Sequence, residues 1–513
     1  MFYSSLFAQL RQGAITIDGT KDNVAYSMVQ TNDGGYVMAG STDSYGAGGL
    51  DVYVVKLDSL GKLQWTKTIG GDKNDIAWSI IQTNDHGYAI TGYTFSFGAG
   101  SDDVYIIKLD SVGNLQWTKT IGGTNAEEGQ GIVQTKDKGY AVTGLTDSYG
   151  AGIGDVYIIK LDSTGNLQWT KTIGGTNDDA GDWIIQTKDG GYAIAGSTFS
   201  YGAGDEDVYV IRLDALGNLK WTRTIGTNNG DWANSIAQTK DGGFAITGVT
   251  DSGTNGADVY VIKLDSLGNL KWNRAIGGPK DDEGFSIIQA NDGGYAITGF
   301  TNSYGTGGGN VYVIRLDSMG NLKWTKVIGG SIVTNSGYSI IQTKDMGYAI
   351  AGDNAPTGTN INVYFIKLDS LGNGCLTAIT DSGRVTHVGT FSHGGNVTTI
   401  DSGRINSGGK VGSGGIYNAI CTVTAVDNIV PEENNLQVFP NPNNGIFSIQ
   451  SGNGNQKSEI GIYNILGEEI YTGKLNSDIT QIDISGQPAG LYLYRVISEQ
   501  GQLVSSGKVI VEK

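Results

Sequence analysis

Two sets of residues in this chain have types and spacing suited to chemistry, and both recur along its length. One set of short loops carries carboxylates: Asp72 and Asp75, Glu127 and Glu128, Asp178, Asp179 and Asp182, Asp231, then Asp281, Asp282 and Glu283. The other, built on SYGAG-like turns, carries Tyr45, Phe97, Tyr149, Tyr201 and Tyr304. Aromatic faces stack on sugar rings, and carboxylates accept hydrogen bonds from hydroxyls or gather calcium. If the recurring IIQT segment is an innermost strand, both loop sets share one face, and Tyr45, Phe97, Tyr149, Tyr201 and Tyr304 with Asp75, Glu128, Asp179 and Asp282 form a candidate ligand ring. Two facing carboxylates would also suit glycoside hydrolysis, one as acid and the other as base or nucleophile. No pair visibly breaks the repeat, whereas catalysis calls for such a departure. Binding is therefore expected ahead of catalysis, and the plain alternative is that acidic loops keep the protein soluble.

The other reactive residues are few. His86, His387 and His393 are the only histidines, too sparse for a repeated Ser–His–Asp site. Cys375 and Cys421 lie 46 positions apart in a Gly, Ser and Thr-rich segment, without the neighbours a zinc site requires. No resident cofactor is expected, calcium being the one option the acidic loops leave open.

These residues must be positioned by a chain of 513 residues, longer than one core usually supports unless a repeat spreads the core along the sequence. Lys and Arg total 34 against 51 Asp and Glu, a net charge of −17 that repels nucleic acid and anionic lipid. Gly is the commonest residue at 82 and Pro numbers only 6, a balance suited to tight turns between strands. No run of 18 apolar residues is present, so no transmembrane helix is expected. The start, MFYSSLFAQ, reads as the end of a secretory signal or as a plain disordered terminus.

DVYVVKLDSLGKLQW from Asp51 recurs with small changes from Asp103, Asp155, Asp207, Asp258, Asn310 and Asn362, at starts 51 or 52 residues apart. Within each period four strands are legible: AWSIIQT, YAITGYT, DVYIIKL and NLQWTKTIGG. Both faces of DVYVVKL are apolar, so the strand needs cover on two sides, as in a blade stacked between neighbours. Four strands per repeat with short turns is the propeller pattern. Asp58, Asp110, Asp162, Asp214, Asp265, Asp317 and Asp369 are expected to bind turn amides, each followed by a glycine at positive φ. One Trp per repeat, from Trp65 to Trp324, is expected to pack on the adjacent blade. The segment GAITIDG, Gly13 to Gly19, matches the fourth strand that the seventh repeat loses, so the first strand is expected to close the ring. The aspartate, turn glycine and tryptophan leading from third to fourth strand resemble the pyrroloquinoline-quinone-type propeller repeat. That likeness implies the fold; no quinone pocket is visible.

From about residue 434 the period gives way to LQVFPNPNNGIFSI, EIGIYNILGEEI, PAGLYLYRV and GKVIV. Pro440, Asn441, Pro442 and Gly445, then Gly490, Tyr492 and Lys508, stand in the order of the type A C-terminal sorting domain of the type IX secretion system, which this segment strongly resembles. The resemblance implies export through periplasm and outer membrane, partnership with the secretion machinery, and release or surface attachment. It also implies an oxidising compartment in which Cys375 and Cys421 pair.

The expected fold is all-β: a seven-bladed β-propeller over 13–373, a Cys-bracketed β-rich spacer or flexible stalk over 374–430, and a small C-terminal β-sandwich over 431–513, preceded by residues 1–12. The expected function is a secreted or cell-surface, non-enzymatic binding or adhesion module for an extracellular glycan or surface protein. The alternatives are a secreted carbohydrate-active or quinone-dependent enzyme, or a purely structural surface protein.

Overall fold

In a computed structural model of the protein, every regular element among the described residues is a β-strand. The described residues are 10–512 apart from 252–255, 306–307, 330–332, 357–358, 375–376, 379–383, 387–389, 393–395, 400–403, 407–409, 413–415, 425–436, 451–457, 465–468, 476–478 and 499–502. The leader reading of residues 1–9 lies outside them, as do His387, His393, Cys375 and the side chain of Cys421. Two compact units divide the chain, Met1–Ala425 and Val426–Lys513.

The first unit is a ring of seven antiparallel sheets. Blade 3 is typical, with Glu127–Gln134 innermost, then Tyr140–Thr146, Asp155–Leu161 and Leu167–Gly174. Its third strand is buried at all seven positions, as the two-sided apolar reading of DVYIIKL requires. Each blade presents one face to its predecessor and one to its successor. Trp117 of blade 2 meets Tyr140 of blade 3 edge-on at 5.8 Å, and Trp169 meets Tyr192 of blade 4 at 6.2 Å. The turn glycine of the following blade lies beneath each indole: a Cβ on Gly165, at φ +81°, would stand 3.0 Å from Trp117. The turn aspartates do what their spacing predicts, Asp162 accepting from the amides of Thr164 and Asn166 at 2.8 and 2.9 Å.

One cation per blade is hidden inside this apolar stack. Lys56, Lys108, Lys160, Arg212, Lys263, Arg315 and Lys367 are each buried near the end of the third strand. Lys160 Nζ lies 2.9 Å from Asp137 Oδ2 and donates to the Leu161 carbonyl at 2.8 Å. A buried ammonium must have such partners to be tolerated. Its seat fixes the following residue type as well, since a Cβ on Gly139 would lie 2.2 Å from that carbonyl and 2.6 Å from the ammonium.

A circle of glutamines links the blades at the same end, where the innermost strands finish. The Oε1 of Gln82 accepts from the Asn32 amide of the preceding blade at 3.1 Å, and Gln134, Gln186, Gln238, Gln289 and Gln342 repeat the bond at 2.7–2.9 Å. Lys344 of blade 7 then donates its amide to Gln30 of blade 1 at 3.1 Å, completing the circle.

The ring is closed non-covalently, by a strand taken out of sequence order. Leu10–Asp18 supplies the fourth strand of blade 7, with Gly13 opposite Lys367 and Ile17 opposite Val363. Seven short strands between Thr377 and Thr424, within the segment expected as spacer or stalk, add a fifth strand to every blade in reverse order: blades 6, 5, 4, 3, 2 and 1, then 7. The last of these, Ile416–Thr424, pairs along the free edge of Leu10–Asp18. Exposed strand edges invite association with other chains, and this return path covers seven of them.

The second unit stacks a three-stranded sheet, Gln437–Phe439, Ile446–Gln450 and Ile479–Asp483, on a four-stranded one, Glu469–Leu475, Ser458–Tyr463, Gly490–Ser498 and Leu503–Val511. Its core includes Phe447, Ile460, Ile462, Tyr492, Tyr494 and Val509.

If Leu10–Asp18 is a full member of blade 7, Ile17 is worth as much as its counterpart Ile69 in blade 1, both being fully buried opposite a third-strand valine. Ile17→Ala is therefore expected to cost about 2–5 kcal/mol, matching Ile69→Ala, in chemical denaturation. A cost near zero would show the closing strand to be dispensable.

Candidate functional site

The structure separates the residues of the expected ligand ring. Tyr45, Phe97, Tyr149, Tyr201 and Tyr304 are part-buried wedges packed on blade cores rather than a ring around the axis. The hydroxyls of Tyr149, Tyr201 and Tyr304 donate to the carbonyls of Gly122, Gly174 and Gly277, at 3.2, 2.9 and 2.7 Å, and Tyr45 likewise reaches the Asp18 carbonyl. Each ring thus braces the end of the preceding blade's fourth strand.

Asp75, Asp179 and Asp282 are fully buried and clasp their own loops. Asp179 Oδ2 accepts from the Gly175 amide at 2.6 Å and from Ser200 Oγ at 2.7 Å. Opposite it across Gly174 stands Asp155, and a Cβ on that glycine would lie 2.0 and 2.7 Å from the two carboxylates. At the junction of blades 6 and 7, asparagines occupy both positions, as Asn310 and Asn335. Side chains that serve equally well as amides are joints of the ring. Of the four expected acidic ligands, Glu128 alone faces the axis.

The axis is lined by residues of which the sequence reading named only Asp182, as one member of an acidic loop. Each innermost strand touches the next around the ring, and each carries a β-bulge near its start. A bulge re-aims one side chain out of the alternating pattern. The bulged residues are Tyr26, Trp78, Gln130, Asp182, Asn234, Phe285 and Tyr338, all part-exposed. They divide the mouth into two halves. Phe285 and Tyr338 lie 5.2 Å apart, Tyr338 and Tyr26 5.2 Å, and Tyr26 and Trp78 4.5 Å, with Tyr93 and Phe95 extending the arc. Blades 3, 4 and 5 supply Gln130, Asp182 and Asn234 instead. Gln130 Nε2 donates to Glu128 Oε2 at 2.8 Å, and Asn234 Nδ2 to the Gly284 carbonyl at 2.9 Å.

The polar half is strongly acidic. Burial, with Asp102 and Asp147 nearby, pushes the Glu128 carboxyl up to about 7. Asp182 keeps part of its surface open toward the axis, yet the protein around it, with Glu206 and Glu128, pushes its carboxyl up to about 7 as well. Like charges crowded in a partly dry site favour the protonated form. This is the asymmetric departure from the repeat that the loops lacked. Its signal was available: within the innermost strand the column Tyr26, Trp78, Gln130, Asp182, Asn234, Phe285, Tyr338 varies in chemical type between runs of small and apolar residues. Among the described residues no three His, Cys, Asp or Glu side chains are grouped to hold a metal ion.

In the second unit the predicted motif residues converge on the last strand. Asn441 Nδ2 donates to the Lys508 carbonyl and its Oδ1 accepts from the Ile510 amide, both at 2.8 Å. Gly445, at φ +99°, approaches Ser485 so closely that a Cβ would stand 2.5 Å from its Cα. Tyr492 donates to the Pro488 carbonyl at 2.7 Å, whereas Pro440 and Pro442 follow cis peptide bonds and Gly490 has open space around it.

Residues 437–512 match the family described as a secretion system C-terminal sorting domain. The chain is thus a propeller carrying a type IX sorting tail, a partner of that secretion machinery, exported to the cell surface or beyond. It is similar to the regulatory protein FlaEY of Caulobacter vibrioides, with 24% identity over 331 residues, 55% of this chain and 34% of that protein. The chain spans about a third of that relative's length. Solved structures with some likeness include PorZ, a surface component of the type IX secretion system of Porphyromonas gingivalis, at TM-score 0.37 and 11% identity over 97% of this chain and 60% of that one. An endo-1,5-α-L-arabinanase of Thermotoga petrophila aligns at TM-score 0.29 and 12% identity over 71% of this chain and all of its own.

Because both axial carboxyls hold protons higher up the pH scale when folded, and unfolded Asp and Glu titrate near 4, stability falls as pH rises from about 4 through 7. Asp182→Asn removes one such group. Its stability relative to the parent is expected to be near zero at pH 4 and to grow to a gain on the order of 2 kcal/mol at pH 8 in urea denaturation. A difference independent of pH would mean that Asp182 is ionised throughout.

Proposed function

We propose that the propeller is a non-enzymatic binding module whose ligand, an extracellular saccharide, is held at the axial mouth, and that the sorting tail delivers this module to the outer surface. The observation that carries the reading is the division of the bulged residues into an aromatic arc and a polar arc. A scaffold repeated seven times needs no such division for stability. Stacking surfaces beside hydrogen-bonding side chains are what sugar rings require, with apolar faces and hydroxyl edges. The joints of the ring, including the tyrosine wedges and buried aspartates, serve to hold this mouth rigid.

A second reading has one observation in its favour. Glu128 and Asp182 titrate near neutrality, the state a glycoside hydrolase needs in its acid. Release of reducing ends from an oligosaccharide by the parent, and not by Asp182→Asn, would put hydrolysis ahead of binding.

Substitutions distinguish the mouth from the rim. Trp78→Ala is expected to weaken saccharide binding at least tenfold, measured by calorimetry against a glycan panel, while Tyr201→Phe leaves affinity within twofold. The opposite pattern would return the site to the rim.

A further inference from the structure

The acidic half of the mouth has a property that neutral sugar recognition does not call for. No described residue donates a hydrogen bond to Asp182, although the protein encloses it closely enough to raise its carboxyl markedly. Every charged group acting on it, Glu206 and Glu128, is negative. Glu128 is in the same position: its one described donor is the neutral amide of Gln130, and Asp102 and Asp147 are the charges nearby. The buried cations of this protein are each matched, as Lys160 is with Asp137 and its counterparts are in each blade, whereas Glu128 and Asp182 face no cation among the described residues. A carboxylate left without a donor in a partly dry site is costly unless it stays protonated or meets a cation.

The aromatic half ends beside Glu128. Tyr93 senses Glu128, Asp102 and Tyr26, so the arc and the acidic half adjoin at that ring. In the arc the indole N–H of Trp78 is buried without an acceptor among the described residues, a second polar group at the mouth left unsatisfied by the fold. Aromatic faces attract cations, and a face next to a carboxylate attracts them doubly.

We propose that the ligand of this mouth is an amino sugar, its protonated amine seated between Glu128 and Asp182 and its ring stacked on the Tyr26–Trp78 pair. This rests on the axial binding reading and deepens it. The ammonium supplies three donors to carboxylates that have too few, and its charge offsets the surrounding negative groups. Uronic acids and N-acetylated sugars lack that charge, the former adding repulsion. The rings of the arc, in mutual contact at 4.5–5.2 Å, make one continuous aromatic surface, which suits a sugar ring better than the narrow stem of a lysine side chain.

The test is calorimetric titration of the full chain with a glucosamine tetramer, its N-acetylated counterpart, cellotetraose and tetralysine, at pH 6.5. The expected result is at least tenfold tighter binding of the glucosamine tetramer than of the other three, with the preference falling below threefold in Asp182→Asn and in Glu128→Gln. Two variants are named so that a folding defect in one, visible in its unfolding midpoint, leaves the other to decide. Equal binding of amine, acetylated and neutral tetramers would overturn the amine assignment while leaving the axial saccharide site in place. Tighter binding of tetralysine would overturn the sugar assignment. No binding of any probe would remove the axial reading itself and this inference with it.

Discussion

Seven sheets can share one axis only if each meets the next in the same way, and the glutamine that ends every innermost strand carries that sameness round the ring. Its amide oxygen accepts a turn N–H from the preceding blade seven times, the last bond joining residues 314 apart in sequence. A hydrogen bond of this kind contributes about 1 kcal/mol, but a cyclic set fixes geometry as well, because no blade can tilt without straining two junctions. The indole stacked on the next blade and the closing strand Leu10–Asp18 obey the same requirement. So does the buried cation of each third strand, which holds the turn from which the glutamine's donor comes.

A scaffold so uniform leaves little freedom for function. Most columns of the repeat are committed to joints: the tyrosine wedges, the loop-clasping aspartates, the turn aspartates and the tryptophans. The bulge is the exception, since it turns one side chain per blade out of the alternating pattern, at a position whose type the repeat does not fix. Substitution there costs the ring little, and the bulged positions have divided into an aromatic run and an adjoining polar run, with Glu283 and Asp353 beside the first and Glu128 beside the second. The axial carboxyls, both raised to about 7, are the sign that this division opposes stability. Carboxyls raised this far at a partly exposed position are characteristic of sites that do something.

Whatever depends on local period was legible in the sequence. The 52-residue repeat, the four strands, the turn aspartates, the tryptophan's partner and the closing strand all follow from spacing and alternation, and the tail from an ordered set of motifs. Three features were not legible, for distinct reasons. Lys160 and its counterparts read as one polar position in an apolar strand, because their aspartates lie 23 residues away on another turn. The tyrosines read as ligand-facing, because their hydroxyls reach carbonyls 27 residues earlier, across a blade junction. The axial residues were overlooked because a bulge reverses the alternation that predicts side-chain direction, so that Asp182 seemed one more member of an acidic loop.

The two units divide the work by chemistry as well as by sequence. The tail's motif residues serve its own last strand, Asn441 binding it at two points, and its family match fixes the route of export. The ring carries the asymmetry that a ligand can read. The most direct measurement of that division is a crystallographic difference map of the protein soaked with a glucosamine tetramer. Density over the Tyr26–Trp78 pair with an amine nitrogen within hydrogen-bond distance of Asp182 is the predicted result; a vacant axial mouth with the tetramer ordered at the rim beside Tyr201 would contradict it.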